Sequence, residues 1–172
     1  MIGANFGKTG VQMSFASSAN KDAEAMHKAA GPLGRLLTDA PKLVRQDQEF
    51  KVQVQVRGAT GLFGAQFHLT FDPSIVELVD MDEAQAGVQG AVGDALPNAY
   101  VAANRLDEAV EGRYTFAATR LAPDSGTSGS GTLATLTFRA RAEGNPRIQV
   151  QSARLADADA AQLPVLLPAR SK

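Results

Sequence analysis

GLFGAQFHLTFDPSIVELV, residues 61–79, is the stretch whose reading decides the fold. Phe63, Ala65, Phe67, Leu69 and Phe71 alternate with Gly64, Gln66, His68 and Thr70. A period of two predicts a strand with one face in a core and the other in water. Asp72-Pro73 stops it, because proline has no N–H to give to a ladder. Ile75 to Val79 opens a further short apolar stretch. The period recurs on both sides. Upstream, Phe50, Val52, Val54 and Val56 alternate with Lys51, Gln53, Gln55 and Arg57, and Gly58 to Gly61 reads as a turn. Downstream, Ala134, Leu136, Phe138 and Ala140 alternate with Thr135, Thr137, Arg139 and Arg141. Phe67, Leu69 and Phe71 are expected to face Val52, Val54, Leu136 and Phe138 across a common core.

Weaker segments complete the pattern. Tyr100 and Ala102 suggest a strand pairing with Tyr114, Phe116 and Ala118, with Arg105 to Gly112 as the connecting loop. Residues 80–97 are acidic, then rich in Gly and Ala, and read as a long loop with one weak strand. Asp124 to Gly131 reads as a Ser/Gly loop, and Gly144-Asn145-Pro146 as a turn. Ile148, Val150 and then Leu163 to Leu167 close the chain. Many short strands separated by turn signals predict an all-β, antiparallel two-sheet sandwich over residues 33–172. Residues 1–32 read as an extension. Asn20 to Ala30 is a short helix, with Asn20 as N-cap, acidic Asp22 and Glu24 in the first turn, and Gly31-Pro32 as its stop.

Composition excludes several function classes. The 172 residues suffice for one core, and 44% hydrophobic with 20% charged residues suits a globular protein. A net charge of −1 gives no field to gather nucleic acid. No cysteine is present, so disulfides, thiolate catalysis and thiolate metal sites are ruled out. No apolar run is long enough to span a membrane as a helix. The N-terminus lacks an apolar signal core, so any export signal is expected outside this chain.

Candidate chemistry is sparse. The two histidines, His27 and His68, lie far apart in sequence, and a metal site needs several convergent ligands. No catalytic residue, metal ligand or cofactor is expected. Ser128 and Ser130 lack the strand-to-helix setting of a serine nucleophile. Neighbouring acids such as Asp80, Asp82 and Glu83 do not face each other across a cleft. Asp157-x-Asp159 opens like a calcium loop, but Gln162 and Pro168 occupy the positions of its glycine and its last acid, so an Asx turn is expected. There is no tryptophan, and Tyr100 and Tyr114 are the only tyrosines.

Four blocks resemble cohesin domains, the receptor modules of cellulosomes and of other bacterial surface and secretion proteins. They are RQDQEFKVQVQV (45–56), the opening stretch 61–79 with its Phe-x-Leu-x-Phe-Asp-Pro run, YTFAATRLAP with SGSGTLATLTFRARAEG (114–144), and ARLADADAAQLPV (153–165). Their order and spacing match over roughly residues 33–168. The resemblance implies a jelly roll of about nine strands and a role in binding another protein, a calcium-loaded dockerin or another envelope or secretion component. It also implies an extracellular or cell-envelope location. In cellulosomal cohesins the strand before Asp-Pro carries Asn and Asp on its outward face. Gly64 and Gln66 stand there in this chain, which implies that a cellulosomal dockerin binds weakly.

Outward positions give the expected partner-binding set: Gln66, His68, Thr70, Thr119, Leu133 and Thr135. Alternation from Ala134 and Leu136 puts Leu133 outside, where an apolar residue needs cover. Either a partner or residues 1–31 would supply it. Because this set is uncharged, its binding is expected to vary little with salt. The other readings of the same sandwich are a carbohydrate-binding module using Tyr100, and a structural domain of a secretion or envelope assembly.

Overall fold

The period-two segments form strands in a computed structural model that describes residues 33–169. The helix expected at Asn20–Ala30, and cover of any face by residues 1–31, lie outside the described residues. The described residues form eleven strands: β1 (Gly34–Thr38), β2 (Glu49–Leu62), β3 (Gly64–Thr70), β4 (Val76–Val79), β5 (Ala91–Val92), β6 (Tyr100–Leu106), β7 (Arg113–Thr119), β8 (Thr127–Ala140), β9 (Gln149–Ala156), β10 (Gln162–Leu163) and β11 (Val165–Leu166). Three of them have only two residues, so eight longer strands stand against the nine or so expected.

Two sheets pack face to face. One runs β11-β1-β2-β8-β4, with β5 also pairing β8; the other runs β10-β9-β3-β7-β6. Only β1 and β11 pair in parallel. The core forms where the apolar faces meet. Val52, Val54, Leu136 and Phe138 come from the six-stranded sheet, and Phe67, Leu69, Tyr114 and Phe116 from the five-stranded one; all are buried. Phe71 reaches Phe138 edge-on, with ring centroids 5.2 Å apart. The inward set expected from alternation is therefore the observed one.

Glycines correct two segments. Gly58 to Gly61 is no turn, and Thr127 to Gly131 is no loop. Both lie within 14-residue strands that stay paired through three register shifts. Gly58, Gly61 and Gly129 adopt positive φ there. Such residues let a strand bulge and coil without leaving its partner.

One shift reverses the reading of Leu133. Val54 pairs with Ala134, but Gln55 pairs with Thr132, so Leu133 is the extra residue of a bulge. Alternation breaks at that point, and both Leu133 and Ala134 turn into the core, 2% and 0% exposed. The Leu133 carbonyl accepts a hydrogen bond from Gly93 N–H at 2.9 Å, which draws the following loop across it. Leu133 is thus a core residue and no contact residue.

Three carboxylates fasten loops to strand ends, and each is held below the ordinary value of 3.8 for aspartate. Asp107 is lowered chiefly by the hydrogen bond from the Arg113 side chain, Asp80 by backbone N–H groups of Gln89 and Asp82, and Asp72 by the Ser74 hydroxyl and N–H. A carboxyl whose folded value is depressed stabilises fully above its unfolded value, and that stability is lost as pH falls through the folded value. Acid sensitivity from these groups should therefore sit below about pH 4. Urea midpoints at pH 5 and pH 3 should differ less in Asp107→Asn than in the wild type. An equal difference in both would show that the Arg113 pair plays no part.

Candidate functional site

β3 lies at the centre of the five-stranded sheet, and its register places the outward side chains in rows. Gly64 stands between Thr119 on β7 and Ala156 on β9; Gln66 between Ala117 and Arg154; His68 between Thr115 and Ser152. Thr70 stands between Arg113 and Gln149. β6 extends the rows, with Tyr100 beside Thr119, Ala103 beside Ala117 and Arg105 beside Thr115. The outcome is a sheet face whose centre is low, built from Gly64, Ala103, Ala117 and Thr115. Longer side chains surround it: Tyr100, Gln66, His68, Arg105 and Arg154. A shallow hollow lies beside the centre, lined by Gln66, His68, Ser152 and Arg154.

His68 Nδ1 and Thr115 Oγ1 are 3.0 Å apart in a cross-strand hydrogen bond. That bond fixes the half-buried imidazole against the sheet. The neighbouring Gln66 is exposed.

Of the residues expected from sequence, Gln66, His68, Thr70 and Thr119 share this face. Thr135 does not: it belongs to β8 in the other sheet, opposite Gln53 and next to Ala91. Leu133 lies inside. The set is thus divided between two sheets, and only its β3 and β7 members stand together.

The face also holds residues that the alternation hides. Between Val101 and Ala103 the β6–β7 register slips by one. Asn104 consequently turns inward to Tyr114, and Arg105, which reads as the start of a loop, turns outward. A second slip between His68 and Leu69 in the β3–β9 pairing sends Arg154 outward and buries Leu155.

These shifts set the electrostatics. No Asp or Glu occurs in any of the five strands, whereas three arginines do, Arg105, Arg113 and Arg154. Arg113 is paired with Asp107 at the margin. Arg105 and Arg154 are exposed, and neither has a carboxylate partner among the described residues.

Other candidates resolve into structure. The Asp157 carboxylate accepts the N–H groups of Asp159 (3.0 Å) and Ala161 (2.8 Å), as an Asx turn does. Ser128 Oγ accepts Gly61 N–H at 3.0 Å. Among the described residues no group of three or more His, Asp or Glu converges as metal ligands, and no helix is long and apolar enough to cross a membrane.

The described residues form a two-sheet sandwich with the outward side chains of β9, β3, β7 and β6 in rows. The chain belongs to the cohesin domain family, whose model matches residues 39–166. Cohesin domains mediate protein–protein interaction, with dockerins in cellulosomes. Solved structures share the fold. The second type II cohesin module of the adaptor scaffoldin ScaA of Acetivibrio cellulolyticus superposes with a TM-score of 0.61 at 15% identity, over 80% of this chain and 87% of that one. A type II cohesin–X–dockerin complex of the same organism gives 0.60 at 15%, over 80% and 96%. A non-cellulosomal cohesin of the archaeon Archaeoglobus fulgidus gives 0.58 at 15%, over 77% and 84%. At such identities the likeness is one of fold alone. No curated protein sequence matches the chain.

Proposed function

We propose that this cohesin domain is a non-catalytic binding module. It takes a protein partner on the outward face of the β10-β9-β3-β7-β6 sheet. The observation that supports this most directly is the face itself: a row-ordered surface with a low centre of Gly64, Ala103 and Ala117, ringed by polar side chains that point to solvent. Such a surface admits a flat or helical element of another protein without an induced cavity. Gln66, His68, Thr70 and Thr119 are contact residues in this reading. The partner is a dockerin-like module or another envelope or secretion component, and the setting is extracellular or at the cell envelope. Family membership and the dockerin-bound state of a structurally similar cohesin support that choice of partner. Tyr100 is the one exposed aromatic ring among the described residues, and a polysaccharide chain would need a row of them.

The test is obstruction without charge. Ala117 lies at the centre of the face, and Ala117→Trp fills the low row with a bulky neutral ring. Titration calorimetry against a panel of dockerin modules should show at least about a tenfold loss of affinity for any module that binds the wild type, since contacts near an interface centre dominate its energy. The melting temperature should stay near that of the wild type. Unchanged affinity would place the site elsewhere on the domain.

A further inference from the structure

We infer that the partner presents an acidic surface to this face, with carboxylates placed to meet Arg105 and Arg154. The inference rests on the proposal that this face is the binding site, and it adds the chemistry of what binds there. It replaces the expectation of a salt-insensitive interface, which followed from a contact set without these two arginines.

The argument starts from what a covering partner must do. A protein laid over the low centre removes water from both guanidinium groups. A buried cation without an anionic partner is strongly unfavourable. Gln66, Ser152 and Thr115 stand beside the arginines and bring no negative charge. Neither does any other residue of the five strands, and the carboxylate at the margin, Asp107, is already paired with Arg113. The partner must therefore supply the anions. Arginine suits the role, because its planar fork accepts a carboxylate through two parallel hydrogen bonds.

Register also gives the spacing. Arg154 stands on β9 in the row of Gln66, Ala117 and Ala103; Arg105 stands on β6, two residues beyond Ala103. Three strand steps of about 4.8 Å and two residues of about 3.4 Å put their Cα atoms roughly 16 Å apart. On an α-helix rising 1.5 Å per residue, that separation is about eleven residues. Eleven residues are close to three turns, so both acids fall on one side of the helix.

The experiment uses the full chain and a panel of dockerin modules whose helix faces range from acidic to basic, titrated by calorimetry at about 50 and 300 mM NaCl. Acidic modules should bind, and their affinity should fall several-fold at the higher salt. Arg105→Glu with Arg154→Glu should lower it about a hundredfold, roughly tenfold for each arginine. Arg105→Lys with Arg154→Lys should stay within about fivefold, since the charge remains. Lys51→Glu, on the outward face of the other sheet, should change nothing. Exchanging the bound module's acids for lysine should restore binding to the Glu variant.

Two results would overturn the inference, and they differ. Suppose a module binds the wild type and is lost with Ala117→Trp, yet keeps its affinity for the double Glu variant at both salts. Then the face is the site and the partner is not acidic. If instead no module that binds is affected by Ala117→Trp, the face assignment fails and the acidic partner falls with it.

Discussion

Phe67→Ala is expected to remove about 3–5 kcal/mol of folding free energy. Phe67 sits at the middle of β3, fully buried, and its ring stacks on Phe116 with centroids 5.1 Å apart and tilts against Tyr114 at 6.0 Å. Both neighbours come from β7 of the same sheet, and Val52, Val54 and Leu136 fill the layer opposite. Two sheets held apart by so many other side chains collapse poorly around a missing ring, so most of its volume would remain as a void. The loss is a large part of the 5–15 kcal/mol that holds a typical domain together. Gln66→Ala, one residue away and outward, should cost roughly 0.5 kcal/mol or less. Urea titration of both variants reads the contrast. Comparable losses would mean that the facing of β3 is wrong, and with it the position of every residue assigned to the binding surface.

That facing was legible because β3 alternates without interruption from Gly64 to Thr70. The fold class followed from such runs, and the four cohesin-like blocks agree with it. The surface was legible only in part, and the reason is the same at three places. A bulge adds one residue to one strand and inverts the facing of everything beyond it. Unbroken alternation from Leu136 sends Leu133 outward, whereas the bulge buries it. Alternation from Tyr100 and Ala102 sends Asn104 outward, whereas the slip at Ala102 turns it in and brings Arg105 out. Alternation from Ile148 and Val150 sends Arg154 inward, whereas the extra residue at Gln151 reverses it. No local signal marks these positions: Leu133, Ala102 and Gln151 are ordinary strand residues, and only pairing with a distant strand shows that one is supernumerary. The two arginines were therefore not legible as members of this face: Arg105 reads as a loop residue and Arg154 as an inward one.

The inward turn of Asn104 carries the other large expectation, since Asn104→Ala should cost about 3–4 kcal/mol. The Asn104 side chain joins β6 to Gly90, at the end of the loop between β4 and β5. Its Oδ1 accepts the Gly90 N–H at 3.0 Å and the Tyr114 hydroxyl, and its Nδ2 donates to the Gly90 carbonyl at 2.8 Å. Tyr114 is fully buried, and burial pushes its phenol well above the ordinary value of 10.0, so it stays protonated and available as a donor. A Cβ at Gly90 would lie 2.4 Å from the end of the Leu136 side chain and 3.0 Å from the Tyr114 hydroxyl, so any larger residue there would push both aside. Truncating Asn104 leaves three polar groups in or near the core without partners, and each costs about 1–3 kcal/mol where water does not replace the bond. Asn104 is itself half-buried, so some water would reach Gly90, which sets the total toward the lower end of that sum. Tyr114→Phe removes only one of the three bonds and takes its unpaired hydroxyl with it, so about 1 kcal/mol is expected. In the double variant the phenol is no longer stranded. The two changes should then cost less together than the sum of the singles, by about 1–2 kcal/mol. Urea midpoints of the four proteins measure the cycle, and amide exchange at Gly90 reports whether the loop has come away from β6. A loss below about 1 kcal/mol for Asn104→Ala, or strict additivity with Tyr114→Phe, would show that the clamp does not hold the loop and that the inward turn of Asn104 is incidental to the fold.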